Sequence, residues 1–115
     1  MTSFFSRLFA AKPAAGAGWI APADLASHES DALIIDVRGP GEFTGPLGHI
    51  DGARNIPLDN FAGEIEALLA HEGPIVLVCH TDRRSSAAAA HLRSAGATDV
   101  TVLRGGMVAW RSEAR

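Results

Sequence analysis

The sequence has one cysteine, Cys79, among 115 residues. A single cysteine excludes an internal disulfide and any metal site built from several cysteines. His28, His71 and His91 are scattered along the chain and do not form a metal-binding pattern. We therefore expect neither a metal nor a cofactor. A free reactive thiol suits a reducing compartment, so a cytoplasmic location is expected.

The sequence also lacks a basic block and a long apolar run. Its net charge is −3, so nothing in the composition predicts a nucleic-acid partner. No apolar stretch approaches the ~20 residues that span a bilayer. With 47% hydrophobic residues in 115 positions, the chain is long enough to bury one core without disulfides or metals.

The N-terminal residues 1–18 are predicted to be a flexible tail and linker ahead of a domain at 19–115. The segment from Lys12 to Gly18 has the composition of a linker. A signal peptide is disfavoured, because Ser6 and Arg7 interrupt the apolar segment and no charged residue precedes it. Three interpretations stay open, in this order: a frayed tail, a patch that packs on the domain or a partner, and a weak membrane-surface anchor. The patch would consist of Phe4, Phe5, Leu8 and Phe9.

Short apolar runs alternate with segments of helical pattern in the rest of the chain. Strands are predicted at 19–20, 33–36, 53–56, 75–78 and 99–103. Helices are predicted from Pro22, in a turn around Glu42, after a cap at Asp59 or Asn60, over 84–95 and from Met107 to Arg111. Such alternation predicts parallel strands with right-handed crossovers in an α/β sandwich. In such sheets, functional sites lie at the carboxyl ends of the strands.

Cys79 lies at the end of the predicted strand 75–78, just before the Ala-rich helix. Backbone N–H groups at the helix start and the helix dipole both favour an anion at such a position. A lone cysteine can also be an inert apolar filler. The loop after Cys79 is polar and contains Arg83 and Arg84, so a reactive thiolate is the favoured interpretation.

Four motifs follow one another in an order that resembles a single-domain rhodanese, a member of the sulfurtransferase family. They are Asp36-Val37-Arg38 with Glu42-Phe43, the segment Gly48 to Pro57, the Cys79 loop with Arg84-Ser85, and Gly105-Gly106-Met107-Val108-Ala109-Trp110. The resemblance runs from about Ile20 to Trp110. It implies a rhodanese-like three-layer sandwich, with a central, mostly parallel sheet flanked by helices.

The resemblance also implies a reaction. The Cys79 thiolate would take the outer sulfur of a donor such as thiosulfate and pass it from a persulfide to a thiol, a cyanide-like acceptor or an acceptor protein. Backbone N–H groups of the loop would hold the anionic persulfide. The loop consists of His80, Thr81, Asp82, Arg83, Arg84 and Ser85, and the supporting residues are Asp36, Arg38, Glu42 and His49.

Two features of the loop bear on the substrate. Cysteine-based phosphatases that share this fold place five residues between Cys and Arg, whereas four separate Cys79 from Arg84. Phosphatase and arsenate reductase therefore rank below sulfurtransferase. Asp82 stands where the family commonly has glycine. It is expected to cap the following helix, and the alternative is a carboxylate at the pocket mouth that opposes a dianionic donor.

The supporting residues are expected to be mainly structural. Arg38 and Glu42 are predicted to form an ion pair, Asp36 to bind backbone or arginine, and His49 to bond buried backbone groups. His80 is expected to shape the loop. Two other functions stay open beside sulfur transfer: a binding or regulatory module with an idle thiol, and a redox sensor whose thiol is oxidised to a sulfenic acid.

Overall fold

The computed structural model describes residues 18–28 and 31–113. The predictions for the tail at residues 1–17 lie outside the described residues. Within the described part, five strands form one sheet in the order β1-β5-β4-β2-β3, and all their pairings are parallel. The strands are β1 Trp19–Ile20, β2 Leu33–Asp36, β3 Arg54–Asn55, β4 Ile75–Val78 and β5 Val100–Leu103. The predicted α/β architecture is confirmed.

Helices connect the strands. They are α1 Pro22–His28, α2 Pro40–Phe43, α3 Leu58–Phe61, α4 Ile65–Leu69, α5 Arg83–Ser94 and α6 Gly106–Glu113, with a 3-10 turn at Ala62–Glu64 between α3 and α4. None of the helices in the described ranges is long and apolar enough to cross a membrane. The start of α3 differs from the prediction, because Pro57 is its N-cap and Asp59 and Asn60 lie inside it. The amide of Leu58 bonds the carbonyl of Val37 at 3.0 Å, which fixes the helix start earlier.

The sheet is covered on both faces because successive side chains of a strand point to opposite sides. Ile35, Leu77 and Val102 belong to one buried cluster, which includes residues of α3, α4 and α5. Ile34, Val76 and Leu103 belong to the other cluster, which includes residues of α1 and α6. The fold therefore has three layers, as expected.

The small side chains of α5 hold that helix close to the sheet. Ala88 and Ala89 are fully buried and pack in the same cluster as Leu77. α5 follows β4 after four residues, so this close packing fixes the short loop between them. Cys79 is the first residue of that loop.

Candidate active site

Cys79 directly follows β4 at the carboxyl edge of the sheet, and it is buried. Its Sγ lies 3.1 Å from Oγ of Ser85, and that hydroxyl also lies 3.2 Å from the carbonyl oxygen of Asp82. Ser85 has one hydroxyl proton to donate. With a thiol at Cys79, the hydroxyl can donate to the Asp82 carbonyl and accept from the S–H. With a thiolate, the same hydroxyl can turn and donate to the sulfur.

The backbone N–H groups of the loop are unused. None of the amides from His80 to Ser85 donates to an acceptor within the part of the chain that the structure describes, and Ser86 is the first to do so, to the Asp82 carbonyl at 3.0 Å. Amides at the first turn of a helix lack partners within the helix and favour an anion. The loop around Cys79 therefore offers donors to a negatively charged group.

The start of α6 contacts the loop through hydrogen bonds to the loop carbonyls. The amides of Met107 and Val108 donate to the carbonyls of Cys79 and His80 at 2.9 and 3.2 Å. In a planar trans peptide the N–H points away from the C=O. The amides of His80 and Thr81 are therefore directed away from α6.

Gly106 makes this contact possible. Its φ is +57°, a conformation that favours glycine. A Cβ at this position would collide with the carbonyl oxygens of Cys79, His80 and Thr81. The loop thus rests directly on the backbone of α6, and a side chain at residue 106 would displace it.

Asp82 does not cap α5 as predicted. It occupies the N-cap position, but its side chain forms no bond to the helix amides. Its Oδ1 instead accepts a hydrogen bond of 2.8 Å from the amide of Gly105. The turn before α6 lies close enough to compete for the carboxylate. Asp82 therefore adds a further connection between the loop and the start of α6.

Arg38 forms its ion pair with Asp36, and the predicted pair with Glu42 is wrong. Nη2 of Arg38 lies 2.7 Å from Oδ2 of Asp36, and both side chains are buried. A buried charge needs a partner and further hydrogen bonds, and the guanidinium finds these in the carbonyls of Glu42 and Gly48 at 3.1 and 2.7 Å. The expectation that Asp36 binds arginine is confirmed. Arg38 thus organises the connection after β2.

Glu42 pairs instead with Arg84 of the Cys79 loop. The two oxygens of Glu42 accept from Nη1 and Nη2 of Arg84 at 2.7 and 3.0 Å. This bond to Arg84 lowers the pKa of Glu42 to about 2, and the same bond raises the pKa of Arg84. The charge of Arg84 is therefore largely balanced by Glu42.

The rhodanese-like domain family has a sequence model that matches residues 21–113, almost all of the described chain. The chain belongs to the rhodanese-like domain family. It is 38% identical over 85 residues to the thiosulfate sulfurtransferase GlpE of Pseudomonas aeruginosa, covering 74% of each chain. It is also 43% identical over 79 residues to the uncharacterised protein YqhL of Bacillus subtilis, covering 69% of this chain and 60% of YqhL.

The structure of a rhodanese-related protein from Thermoplasma volcanium is similar to this one. It superimposes with a TM-score of 0.73 at 28% identity, over 82% of this chain and 90% of the other. The fold described above is thus that of a rhodanese-like domain.

We expect Glu42→Gln to lower the stability of this rhodanese-like domain at neutral pH. The folded pKa of about 2 lies below the ordinary 4.5, so the stabilisation is complete above pH 4.5 and is lost as the pH falls towards 2. Both partners are partly exposed, so the loss at pH 7 should be about 1 kcal/mol or less. Urea unfolding of the wild type and of Glu42→Gln at pH 7 and pH 2.5 measures this loss in the free energy of unfolding. Glu66→Gln on the exposed side of α4 is the control, and an equal loss at both pH values would contradict the prediction.

The remaining predicted residues of the rhodanese-like site are placed as follows. Nδ1 of His49 lies 2.8 Å from the carbonyl oxygen of Phe43, and its ring stacks on that side chain with centroids 3.7 Å apart. His49 thus contacts backbone as expected. His80, Thr81 and Arg83 are exposed on the loop, and their roles stay predictions.

Sequence reasoning missed the contacts of three residues at this site. Gly105 and Gly106 belong to the fourth motif of the resemblance, which does not reveal their contact with the Cys79 loop. Two consecutive glycines before a helix were the available signal. Asn55 was also missed, and its side-chain amide donates to the carbonyls of Asp36 and Arg38 at 3.0 and 2.8 Å.

A cavity of about 330 Å³ lies away from this site, at the amino ends of β4 and β5. Asp99 lines it, and burial raises the pKa of its carboxyl, whose Oδ1 has no hydrogen-bond partner. This carboxyl lies at the amino ends of the strands, whereas Cys79 lies at the carboxyl end of β4. Among the described residues, no group of three or more His, Cys, Asp or Glu side chains is arranged to hold a metal ion.

Proposed function

We propose that this rhodanese-like domain is a sulfurtransferase that moves a sulfane sulfur from a donor to a thiophilic acceptor through a persulfide on Cys79. The observation that carries the proposal is the set of unused amides from His80 to Ser85, next to a buried cysteine. The similarity to a protein named thiosulfate sulfurtransferase supports it.

In the first half-reaction, the Cys79 thiolate attacks the outer sulfur of the donor. The donor's sulfur–sulfur bond breaks, its electron pair leaves with the departing group, and a persulfide forms on Cys79. The terminal sulfur of that persulfide is anionic, and the loop amides are the donors that stabilise it. The acceptor then attacks the terminal sulfur and the Cys79 thiolate is restored.

The position of Ser85 suits both states of Cys79. Its hydroxyl can donate to the Asp82 carbonyl while the sulfur carries a proton, and to the sulfur once the proton is lost. Rotation of the Ser85 hydroxyl alone can thus stabilise a charge on the sulfur, and the backbone does not have to move.

Phosphatase chemistry is disfavoured by the engagement of Arg84. Such chemistry uses the loop arginine to grip a tetrahedral oxyanion in a bidentate way. Both terminal nitrogens of Arg84 already bond Glu42. Small thiols or cyanide-like acceptors need no such arginine. We further propose that the domain acts in the cytoplasm, where the Cys79 thiol stays reduced.

Steady-state kinetics test the proposal. Thiosulfate or a thiol persulfide serves as donor and cyanide as acceptor, and thiocyanate is measured. We expect turnover with at least one donor and parallel double-reciprocal plots, the signature of a covalent intermediate. If folded protein forms no thiocyanate above the uncatalysed rate with either donor, the binding-module or redox-sensor interpretation takes the place of this one.

A further inference from the structure

Ser85 is a polar side chain in direct contact with the sulfur of Cys79. It is fully buried at the start of α5, and its Oγ lies 3.1 Å from Sγ and 3.2 Å from the carbonyl oxygen of Asp82. A hydroxyl has one proton with which to donate a hydrogen bond. The two acceptors therefore compete for the same hydroxyl, and the charge on the sulfur decides which of them is the stronger.

The balance between the two acceptors differs between the two states of the reaction. A thiolate is ionised, and a hydrogen bond to an ionised acceptor is about twice as strong as one between neutral groups. In a persulfide, Sγ is bonded to Cβ and to the transferred sulfur, so it carries no charge and resembles a thioether, which accepts only weakly. The Asp82 carbonyl is then the better partner. Ser85 should thus stabilise Sγ as a thiolate and do little for it in the persulfide.

We infer that Ser85 is a catalytic residue of the second half-reaction, in which its hydroxyl stabilises the Cys79 thiolate as the leaving group. The inference rests on the proposed sulfur transfer. The acceptor, a thiolate or cyanide, forms a bond to the terminal sulfur of the persulfide, and the bond between that sulfur and Sγ breaks. The electron pair stays on Sγ. The hydroxyl turns from the Asp82 carbonyl to this new charge and keeps its own proton.

The same hydrogen bond does not help the first half-reaction. There the thiolate is the ground state, and its bond to Ser85 weakens as Sγ forms its bond to the sulfur of the donor. A step is accelerated only by an interaction that is stronger in the transition state than in the ground state. Ser85 should therefore accelerate the discharge of the persulfide and not its formation.

Ser85→Ala separates the two half-reactions. Alanine suits a helix, and the Asp82 carbonyl keeps its bond from the Ser86 amide at 3.0 Å, so the variant is expected to fold. Loading is measured in a single turnover with hydroxyethyl persulfide or thiosulfate, and discharge by mixing the persulfide form with cyanide. Discharge should be slower by roughly three- to tenfold, about half of a charged hydrogen bond on a logarithmic scale. Loading should be at least as fast as in the wild type.

Both steps are measured at about pH 9.5, above the range in which cysteine thiols ordinarily ionise, so that a smaller thiolate fraction does not imitate a slower step. Ser86→Ala removes a hydroxyl from the next residue of α5 and should leave both rates unchanged. Ser85→Thr keeps a hydroxyl and should discharge faster than Ser85→Ala. Urea unfolding checks that each variant folds, and Ser85→Gly takes the place of Ser85→Ala if alanine is not tolerated.

Three results would overturn the inference while leaving sulfur transfer intact. They are an unchanged rate of discharge, an equal slowing of loading and discharge, which indicates a merely structural role, and a faster discharge with slower loading, which indicates that Ser85 binds the terminal sulfur instead. Failure of the folded wild type to load Cys79 from either donor would contradict the proposed function itself.

Discussion

Replacing Cys79 by serine is expected to reduce sulfur transfer to the uncatalysed rate, a loss on the order of a thousandfold or more. A serine hydroxyl is not a nucleophile for sulfane sulfur under these conditions, and no other cysteine exists in the chain. The stability should change by about 1 kcal/mol or less, because the new hydroxyl can keep the hydrogen bond to Ser85.

Thiocyanate formation and urea unfolding measure the two effects on the same preparation. Cys79→Ala serves as the second variant, since it removes the nucleophile without adding a polar group to a buried position. Sulfur transfer at a wild-type rate by either folded variant would exclude Cys79 as the sulfur carrier.

Gly106→Ala is expected to damage both the fold and the site. The new methyl group would collide with the carbonyl oxygens of Cys79, His80 and Thr81, and alanine at a φ of +57° is strained as well. We expect a loss of about 2 to 4 kcal/mol from overpacking and backbone strain together. Turnover should fall further than the loss of stability explains, because the displaced loop carries the amides that we propose hold the persulfide.

Gly63→Ala is the matched control for this substitution. A Cβ at Gly63 has no atom within 4 Å, and its φ is not positive. In Gly63→Ala, the free energy of unfolding should stay within about 1 kcal/mol of the wild-type value. Turnover should stay near the wild-type rate. Gly106→Ala with the stability and turnover of this control would show that the close contact between α6 and the loop is not needed.

The strands and the position of Cys79 could be predicted because local patterns determine them. Runs such as Ile75–Val78 are apolar and rich in β-branched residues, and polar or glycine-rich segments separate them from the helices. Parallel pairing then follows from alternation, and parallel strands bring their carboxyl ends to one edge. The helix start at Arg83 was expected within one residue for the same reason.

The partners of the charged residues could not be predicted in the same way. Asp36 and Glu42 are both close to Arg38 in the sequence. In the folded protein, the buried guanidinium of Arg38 pairs with Asp36. Glu42 pairs with Arg84 across 42 positions of sequence, which no local pattern reveals. Asp82 has the right position for a cap, but a tertiary contact to Gly105 competes successfully with the helix amides.

The pairing of Arg84 with Glu42 changes one part of the predicted environment of Cys79. The sequence predicts that backbone N–H groups and the helix start favour an anion at Cys79, and that Arg83 and Arg84 add to this effect. In the structure, Arg84 is balanced by Glu42, and Arg83 is exposed. The two arginines therefore contribute less to the environment of Cys79 than predicted, and the unused amides from His80 to Ser85 are the donors that the proposed persulfide would use.

A single-turnover mass measurement tests the central claim most directly. The reduced protein is mixed with excess hydroxyethyl persulfide or thiosulfate, freed of donor, and analysed intact and after digestion. We predict a gain of one sulfur atom, located on the peptide that contains Cys79, and its loss on addition of cyanide with one equivalent of thiocyanate released. A folded protein that gains no sulfur from either donor, or gains oxygen at Cys79 instead, would contradict sulfur transfer.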